Sequence, residues 1–409
     1  MLSGSFFGQL IALIGSLLLA KVYGPNAYGL YGIFFNCCSF LSLVNTLQLE
    51  PLIIKSTNSQ KSKRLLNTTL LLTIILGLGF LIVYLIASTV FPKHREPIYL
   101  LAIPASLLLA TTLITQTYLV AKKKFRQISR IKVLSAAMNL GFQFLFYEKF
   151  ESMGLVYGYI VTSILISLTY LSQVKKDLKT PKFQVLKKTL KENSKQIKFI
   201  LPATLSNQLA SNLLPILFAS FFNLTDYGVY FLCMKILNLP LLLISTSLAP
   251  VFFKKASLLY RYKPKKLYKF TRQILLINLG YGLISILLIN TIGISLFEYF
   301  FSNNWPNTRN ICTILSFLVL TKILVNPINE LIIILDKNEK SLLFSLYLVS
   351  ISSIGILLGY YYNCIKISYY IISIGGGLGY LCFLSYILNS ILPSKLTSIK
   401  RNDHYRINI

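Results

Sequence analysis

The chain has 409 residues, 55% of them hydrophobic, with a mean hydropathy of +0.65 and a formal charge of +29 from 41 basic against 12 acidic residues. That apolarity excludes an ordinary soluble domain, and the lack of decade-long polar/apolar alternation excludes a membrane β-barrel. The basic excess would point to nucleic acid in a soluble protein, but here it falls in short clusters between apolar runs, with no nucleic-acid-binding motif; it reads as membrane topology.

A spanning helix needs about 20 mostly apolar residues. Twelve runs meet that demand, which predicts an all-α polytopic membrane protein. In chain order they lie near 1–20, 28–49, 65–91, 98–121, 131–147, 154–172, 197–222, 227–252, 271–300, 310–335, 342–362 and 367–391. The first run carries no charged leader, so it reads as a helix shortened at its start and not as a cleavable signal peptide. The fifth is short, with Glu148–Glu151 setting its end. Taking the loops alternately, 33 of the basic residues collect on one side and six on the other, while Lys235 and Lys322 lie within helices. Such a split predicts an even helix count with both termini cytoplasmic. The outer loops are short (Gly24–Ala27, Pro92–Pro97, Asn223–Asp226, Ser302–Asn310). The largest inner segment, 173–196, sets Phe183, Leu186 and Leu190 among lysines. It reads as a solvated basic linker resting on anionic headgroups, with a partner-docking helix as the alternative. Of the six cysteines, most sit inside apolar runs and none forms a Cys-x-x-Cys pair, so they read as small hydrophobes and not as disulfides or metal ligands.

A shift of 199 residues aligns the two halves without a gap over the first helix pair. Gln9-Leu10 falls on Gln208-Leu209, Tyr28-Gly29-Leu30-Tyr31 on Tyr227-Gly228-Val229-Tyr230, Pro51 on Pro250 and Lys55 on Lys254. Six helices per half is an even number, so the halves are parallel repeats around a central cavity, an arrangement that places a substrate route between them. The expected organisation is a six-helix half over 1–172, a basic linker over 173–196, a second six-helix half over 197–392 and a basic cytoplasmic tail over 393–409.

Polar groups inside the bilayer are expensive and mark candidate pathways. Lys322, Asn326, Asn329 and Glu330 share one face of helix ten, and Lys235 and Asn238 share one of helix eight. Asn207, Gln208 and Asn212 make helix seven polar; Asn139 and Gln143 line helix five; Gln9, Gln48, Asn45 and Gln116 add amides in the first half. Each amide has a packing alternative, since Asn and Gln hydrogen-bond between neighbouring helices. Lys235 could instead pair with Glu330. Glu50, beside Pro51, either belongs to the pathway or snorkels to the headgroups or pairs with Lys55. Seven prolines in or at the ends of helices, and Gly375-Gly376-Gly377 with Gly379, offer kinks; the glycines alternatively allow close packing.

The segment Leu19-Ala20-Lys21-Val22-Tyr23-Gly24-Pro25-Asn26-Ala27-Tyr28-Gly29-Leu30-Tyr31, with Gly8-Gln9-Leu10-Ile11 upstream and Leu47-Gln48-Leu49-Glu50-Pro51 downstream, resembles the opening of bacterial polysaccharide (O-antigen, Wzx-type) flippases of the MATE-like exporter superfamily. The carrying pattern is an apolar helix, a basic residue, then Gly-Pro-x-x-x-Gly. Length, helix number and two six-helix halves match along the whole chain. The resemblance implies movement of an undecaprenyl-pyrophosphate-linked oligosaccharide across the bacterial plasma membrane, with sugars in a polar, cationic cavity and the lipid tail left in the bilayer. Polysaccharide polymerase and assembly proteins are the implied protein partners, beside membrane lipids. No family residue transfers as catalytic, and no cofactor or metal is implied. A cation-coupled small-molecule exporter of the same superfamily is the alternative; it would need a buried acid in the first half, where only Glu50 qualifies. A glycan polymerase or other membrane enzyme would need a long outer loop bearing catalytic groups, and none is present; the chain reads as a non-enzyme.

Overall fold

The computed structural model describes residues 2–56, 58–90, 97–209, 214–301, 305–335 and 337–392, and among them every regular element is helical. In chain order these are α1 (Leu2–Thr46), α2 (Glu50–Lys55), α3 (Ser59–Val90), α4 (Pro97–Ala121), α5 (Phe125–Leu145), α6 (Tyr147–Phe150), α7 (Gly154–Val174), α8 (Phe183–Glu192), α9 (Ser194–Gln208), α10 (Leu214–Phe221), α11 (Leu224–Leu237), α12 (Leu239–Tyr262), α13 (Pro264–Leu288), α14 (Ile294–Phe301), α15 (Thr308–Ile334), α16 (Asn338–Tyr361) and α17 (Ile365–Ser390). Nine helical stretches among the described residues are long and apolar enough to cross a membrane. Their contacts divide the chain into two compact units, Met1–Phe231 and Leu232–Ile409.

Several boundaries differ from the sequence expectation, each for a local reason. The first two predicted helices and the loop Gly24–Ala27 are one helical run broken only at Gly24, whose φ of 73° and ψ of 176° suit a residue without a Cβ. Pro25 follows it, so the chain turns there and resumes its helix at once. Leu47 and Gln48 both take left-handed backbone conformations (φ 50° and 54°), which end α1 and start α2 at Glu50 with Pro51 beside it. A proline at the start of a helix costs nothing, because its missing N–H would be unpaired anyway. The predicted eighth helix, 227–252, is likewise interrupted at Asn238, and Pro240 opens α12, which runs on to Tyr262. Helix five begins at Phe125 and ends at Leu145, so Glu148–Glu151 lies beyond its end, in α6 and a short 3-10 turn. The predicted run 271–300 extends from Pro264 to Phe301 through a π-helical turn, Ile289–Gly293. Leu224–Asp226, expected in a loop, already belong to α11. The predicted loop Pro92–Pro97 falls largely outside the described residues, as do residues 302–304 of the loop Ser302–Asn310, whose last three residues already belong to α15.

Burial is arranged for an apolar solvent. On α3 the hydroxyls of Thr68, Thr69 and Thr73 are fully buried while Ile75, Leu78, Ile82, Val83 and Ile86 are exposed. The buried hydroxyls bond carbonyls: Thr68 and Thr69 donate to Leu65 at 3.2 and 2.8 Å, and Thr73 reaches Asn45 on α1 at 3.3 Å. In lipid there is no hydrophobic drive between helices, so close packing and satisfied polar groups carry association. The first unit gathers Ile53, Leu65, Leu66, Ile114, Tyr118, Ile128, Ile166 and Tyr170 from α2, α3, α4, α5 and α7 into one cluster.

In the second unit α17 runs unbroken past Gly375-Gly376-Gly377 and Gly379. A Cβ at these positions would strike Ile351, Leu318, Phe317 and Tyr347 at 2.3–2.8 Å, so the glycines serve close helix packing and not a hinge.

The segment 173–196 contains a short helix, and its described lysines are exposed. A 3-10 turn at Lys175–Asp177 leads into α8, whose Leu186 is buried against Leu49, just before α2, and Leu72 of α3.

Candidate functional site

In the first unit several interior amides bond one another, while Asn45 Oδ1, Asn139 Oδ1 and the Tyr118 and Tyr170 hydroxyls keep no hydrogen-bond partner among the described residues. Asn36 donates to the Tyr227 hydroxyl at 2.7 Å, and Asn45 donates to Ser106 Oγ at 3.1 Å. On α5 Asn139 Nδ2 donates to Gln143 Oε1 at 3.2 Å, and Gln143 Nε2 donates to the Leu155 carbonyl at 3.0 Å. The Tyr23 hydroxyl donates to the Gln143 carbonyl. Gln143 is 2% exposed and Gly158 leaves room for it, since a Cβ there would lie 2.6 Å from Gln143 Cγ. For Gln143 and Asn45 this favours helix-to-helix packing over a pathway role. Beside them Tyr31, Phe34, Phe35, Tyr159 and Phe231 form an edge-to-face aromatic cluster with centroids 5.7–6.2 Å apart. Gln9 is half-buried.

At the end of α1 the two left-handed residues bring Gln48 to Glu50. Gln48 Nε2 lies 3.5 Å from Glu50 Oε1, while Glu50 Oε2 is buried without a hydrogen-bond partner. Burial pushes the Glu50 carboxyl upward from its ordinary value, against hydrogen bonds from its own backbone and from Thr46.

The two segments related by the 199-residue shift meet within the first unit, and they meet reciprocally. A Cβ on Gly29 would lie 2.2 Å from the Leu224 carbonyl oxygen; one on Gly228 would lie 1.8 Å from that of Pro25. Leu224 and Pro25 are themselves 199 apart. Gly32 faces Phe231, its own partner under the shift. This self-complementary pattern is that of a local two-fold contact. Tyr28 and Tyr227 flank it at 1% and 0% exposure.

The second unit adds lysines to its buried amides. Lys235 on α11 and Lys322, Asn326 and Asn329 on α15 are half-buried. Among the described residues no hydrogen bond or ion pair reaches either lysine. Asn329 Oδ1 is buried without a partner. Asn238, expected beside Lys235, spends its amide on the Met234 carbonyl at 2.7 Å. The side chains of Asn207 and Glu330 and all of Asn212 lie outside the described residues, while Gln208 ends α9, half-buried. The structure adds residues that no sequence pattern marked. On α13 Asn278 (1% exposed) and Thr271 (0%), seven apart on one face, have buried side-chain polar atoms with no partner. One turn beyond, Gly282 lies against Leu320 and Ile323, the neighbours of Lys322 on α15. Asn290 donates to Ser316 Oγ of α15 at 2.7 Å. The second unit therefore carries amide and ammonium groups whose hydrogen-bonding capacity is left unused among the described residues.

A family model described as "polysaccharide biosynthesis protein" matches residues 18–279, more than half of the chain. The chain belongs to this family. No curated protein sequence matches it. Among solved structures, the lipid II flippase MurJ in an inward closed conformation superposes with a TM-score of 0.74 at 15% identity, covering 98% of this chain and 92% of MurJ. An inward-facing multidrug resistance MATE family transporter of the MOP superfamily gives 0.71 at 16% identity, with 95% and 96% covered. A MOP superfamily transporter from Pyrococcus furiosus gives 0.60 at 14% identity, with 96% and 95% covered. At these identities the likeness is one of fold. The protein is a multi-pass, all-helical membrane protein of polysaccharide biosynthesis with the fold of MOP superfamily transporters.

Proposed function

We propose that this polysaccharide biosynthesis protein is a flippase that carries an undecaprenyl-pyrophosphate-linked oligosaccharide repeat unit from the inner to the outer leaflet of the bacterial plasma membrane. The observation that carries the proposal is the pair of half-buried lysines in apolar helices, Lys235 and Lys322, which no ion pair reaches among the described residues. An ammonium inside a membrane protein without a counter-ion is poorly solvated, and a pyrophosphate is a fitting anion for it. The stranded amides Asn278 and Asn329, with Asn326, supply hydrogen bonds for sugar hydroxyls. Family membership supports the pathway, and likeness to a lipid II flippase supports a lipid-linked substrate. In this reading the chain crosses the membrane twelve times, in halves 1–172 and 197–392 joined by 173–196, with both termini and the tail 393–409 cytoplasmic. It acts by alternating access and not as an enzyme, handing its cargo to polymerase and assembly proteins.

The test is lipid-linked glycan accessibility in cells depleted of the protein. An impermeant reagent probes the outer leaflet while total lipid-linked glycan is measured in parallel. The expected result is an unchanged or raised total with a lowered outer fraction, reproduced by Lys235→Ala and Lys322→Ala at normal protein levels. An unchanged outer fraction would overturn the flippase reading. The cation-coupled exporter remains the second reading, because Glu50 is a buried acid in the first half with a free oxygen. It predicts that Glu50→Gln abolishes ion-driven drug efflux and leaves glycan accessibility intact.

A further inference from the structure

A second polar site lies outside the helical interior, at the basic end of the first unit. An open cavity of about 290 Å³ is bounded by α3, the turn after α7 and the start of α8. It is far larger than the roughly 15 Å³ that one water needs. Its lining includes Gln60, Lys63, Arg64, Lys176 and Lys179, with Asp177 as the one carboxylate. The walls are held rigidly. Asn67 on α3 clamps the turn by donating to the Asp177 carbonyl at 3.0 Å while accepting from the Lys179 N–H at 3.0 Å. Asp177 ties α3 to the end of α4, since it pairs with Lys63 at 2.8 Å and with Lys122. Arg64 pairs with Glu192 of α8.

These pairings leave positive charge uncompensated. Asp177 and Glu192 are engaged by Lys63, Lys122 and Arg64, whereas Lys176 and Lys179 have no ion partner among the described residues. An open cavity lined by Lys176, Lys179 and Arg64, whose one carboxylate is already paired, suits an oxyanion with several acceptor oxygens. The rim favours a lipid source. Val185 lines the cavity, and Phe183, two residues earlier on α8, is 76% exposed. On that helix Leu186 faces inward while Lys187 and Lys188 face out, as in helices that lie along a membrane surface.

We propose that this cavity is a binding site for a phosphate group, supplied by an anionic lipid headgroup whose acyl chains pass Phe183. It is distinct from the lysines of the second unit and stands whether or not the flippase reading does.

The experiment titrates the purified full-length protein in detergent with short-chain phosphatidylglycerol, phosphatidylcholine or inorganic phosphate, and reads dissociation constants by native mass spectrometry and calorimetry. The comparison is Lys176→Gln/Lys179→Gln against Lys187→Gln/Lys188→Gln, which removes the same charge from α8 outside the cavity. All four lysines are exposed and carry no ion pair, so both variants fold. Phosphatidylglycerol is expected to bind more tightly than phosphatidylcholine, and the first variant to bind it about tenfold more weakly while the second matches wild type. Inorganic phosphate binding with the same variant pattern, and no preference for phosphatidylglycerol, would make the occupant a soluble phosphate and overturn the lipid source. Equal losses in both variants would show diffuse surface attraction and overturn the site, as would no loss in either.

Discussion

Asn278 and Glu50 show at the scale of single residues how this chain holds polar groups that its fold does not use. Both side-chain atoms of Asn278 are buried without a partner, and an unsatisfied buried amide costs about 1–3 kcal/mol. Asn278→Leu, similar in size, is therefore expected to stabilise the protein by about 1 kcal/mol, raising Tm in detergent by roughly 1 °C, while lowering glycan translocation. An unchanged Tm would mean that water already satisfies the amide. Glu50 makes a prediction with a definite pH sign. Its carboxyl is pushed upward by burial, so the folded state holds a proton that the unfolded state releases. Stability then falls as pH rises from the ordinary carboxylate value through the raised one, and the loss persists above it. Glu50→Gln should flatten that fall, raising Tm at neutral pH and leaving it nearly unchanged at acid pH. Thermal unfolding across pH 4–8 measures it, and parallel curves for the two proteins would refute it.

At the scale of elements, the contact between the starts of the two aligned segments carries a sharp test. Gly228→Ala would set a Cβ 1.8 Å from the Pro25 carbonyl oxygen and 2.9 Å from the Gly29 nitrogen, and backbone on both sides cannot swing away. A loss of about 2–3 kcal/mol is expected. Gly141→Ala on α5 meets nothing within 4 Å and should gain roughly 1 kcal/mol from helix propensity. Opposite shifts in Tm verify the pair. The same elements show what a sequence can disclose. Hydropathy marks α3, α4, α7, α16 and α17 directly, because lipid imposes length and apolarity on each. The Tyr-Gly-x-Tyr pair was visible as a repeat, and its glycines prove to be a contact. The helix break at Leu47-Gln48 was not legible, since left-handed backbone at non-glycine residues follows from tertiary constraint, and the interruption at Asn238, whose backbone stays right-handed, was marked only by Pro240 nearby. Nor was the docking of 173–196, whose pairs Asn67–Asp177 and Lys122–Asp177 join residues 110 and 55 apart. Lys235 and Lys322 stood out as charges in apolar runs, whereas Asn278, a lone amide between Ile277 and Leu279, belonged to no stripe.

The whole molecule is ordered by its charge. With the proposed twelve crossings, thirty-three of 41 basic residues fall on one set of alternate loops. Retention of lysine and arginine on the cytoplasmic side sets orientation when, as here, the connecting segments are short. In a cysteine-free background, single cysteines at Lys123 and Lys265 report the charge-rich side, and those at Glu151 and Asn363 report the other; all four positions are exposed. An impermeant maleimide applied to intact cells is expected to label the Glu151 and Asn363 positions and to reach Lys123 and Lys265 only after permeabilisation. Equal protection of the Lys123 and Lys265 positions requires an even number of crossings between them. That interval spans the predicted fifth to eighth helices, where Asn238 interrupts the eighth and the predicted fifth, 131–147, is the shortest of the twelve runs. Labelling of Lys265 from outside would remove or add a crossing there, reverse every later loop and place the tail 393–409 outside. The excess positive charge of the second unit's loops would then face the wrong leaflet, an arrangement that the membrane potential and the translocation machinery both oppose.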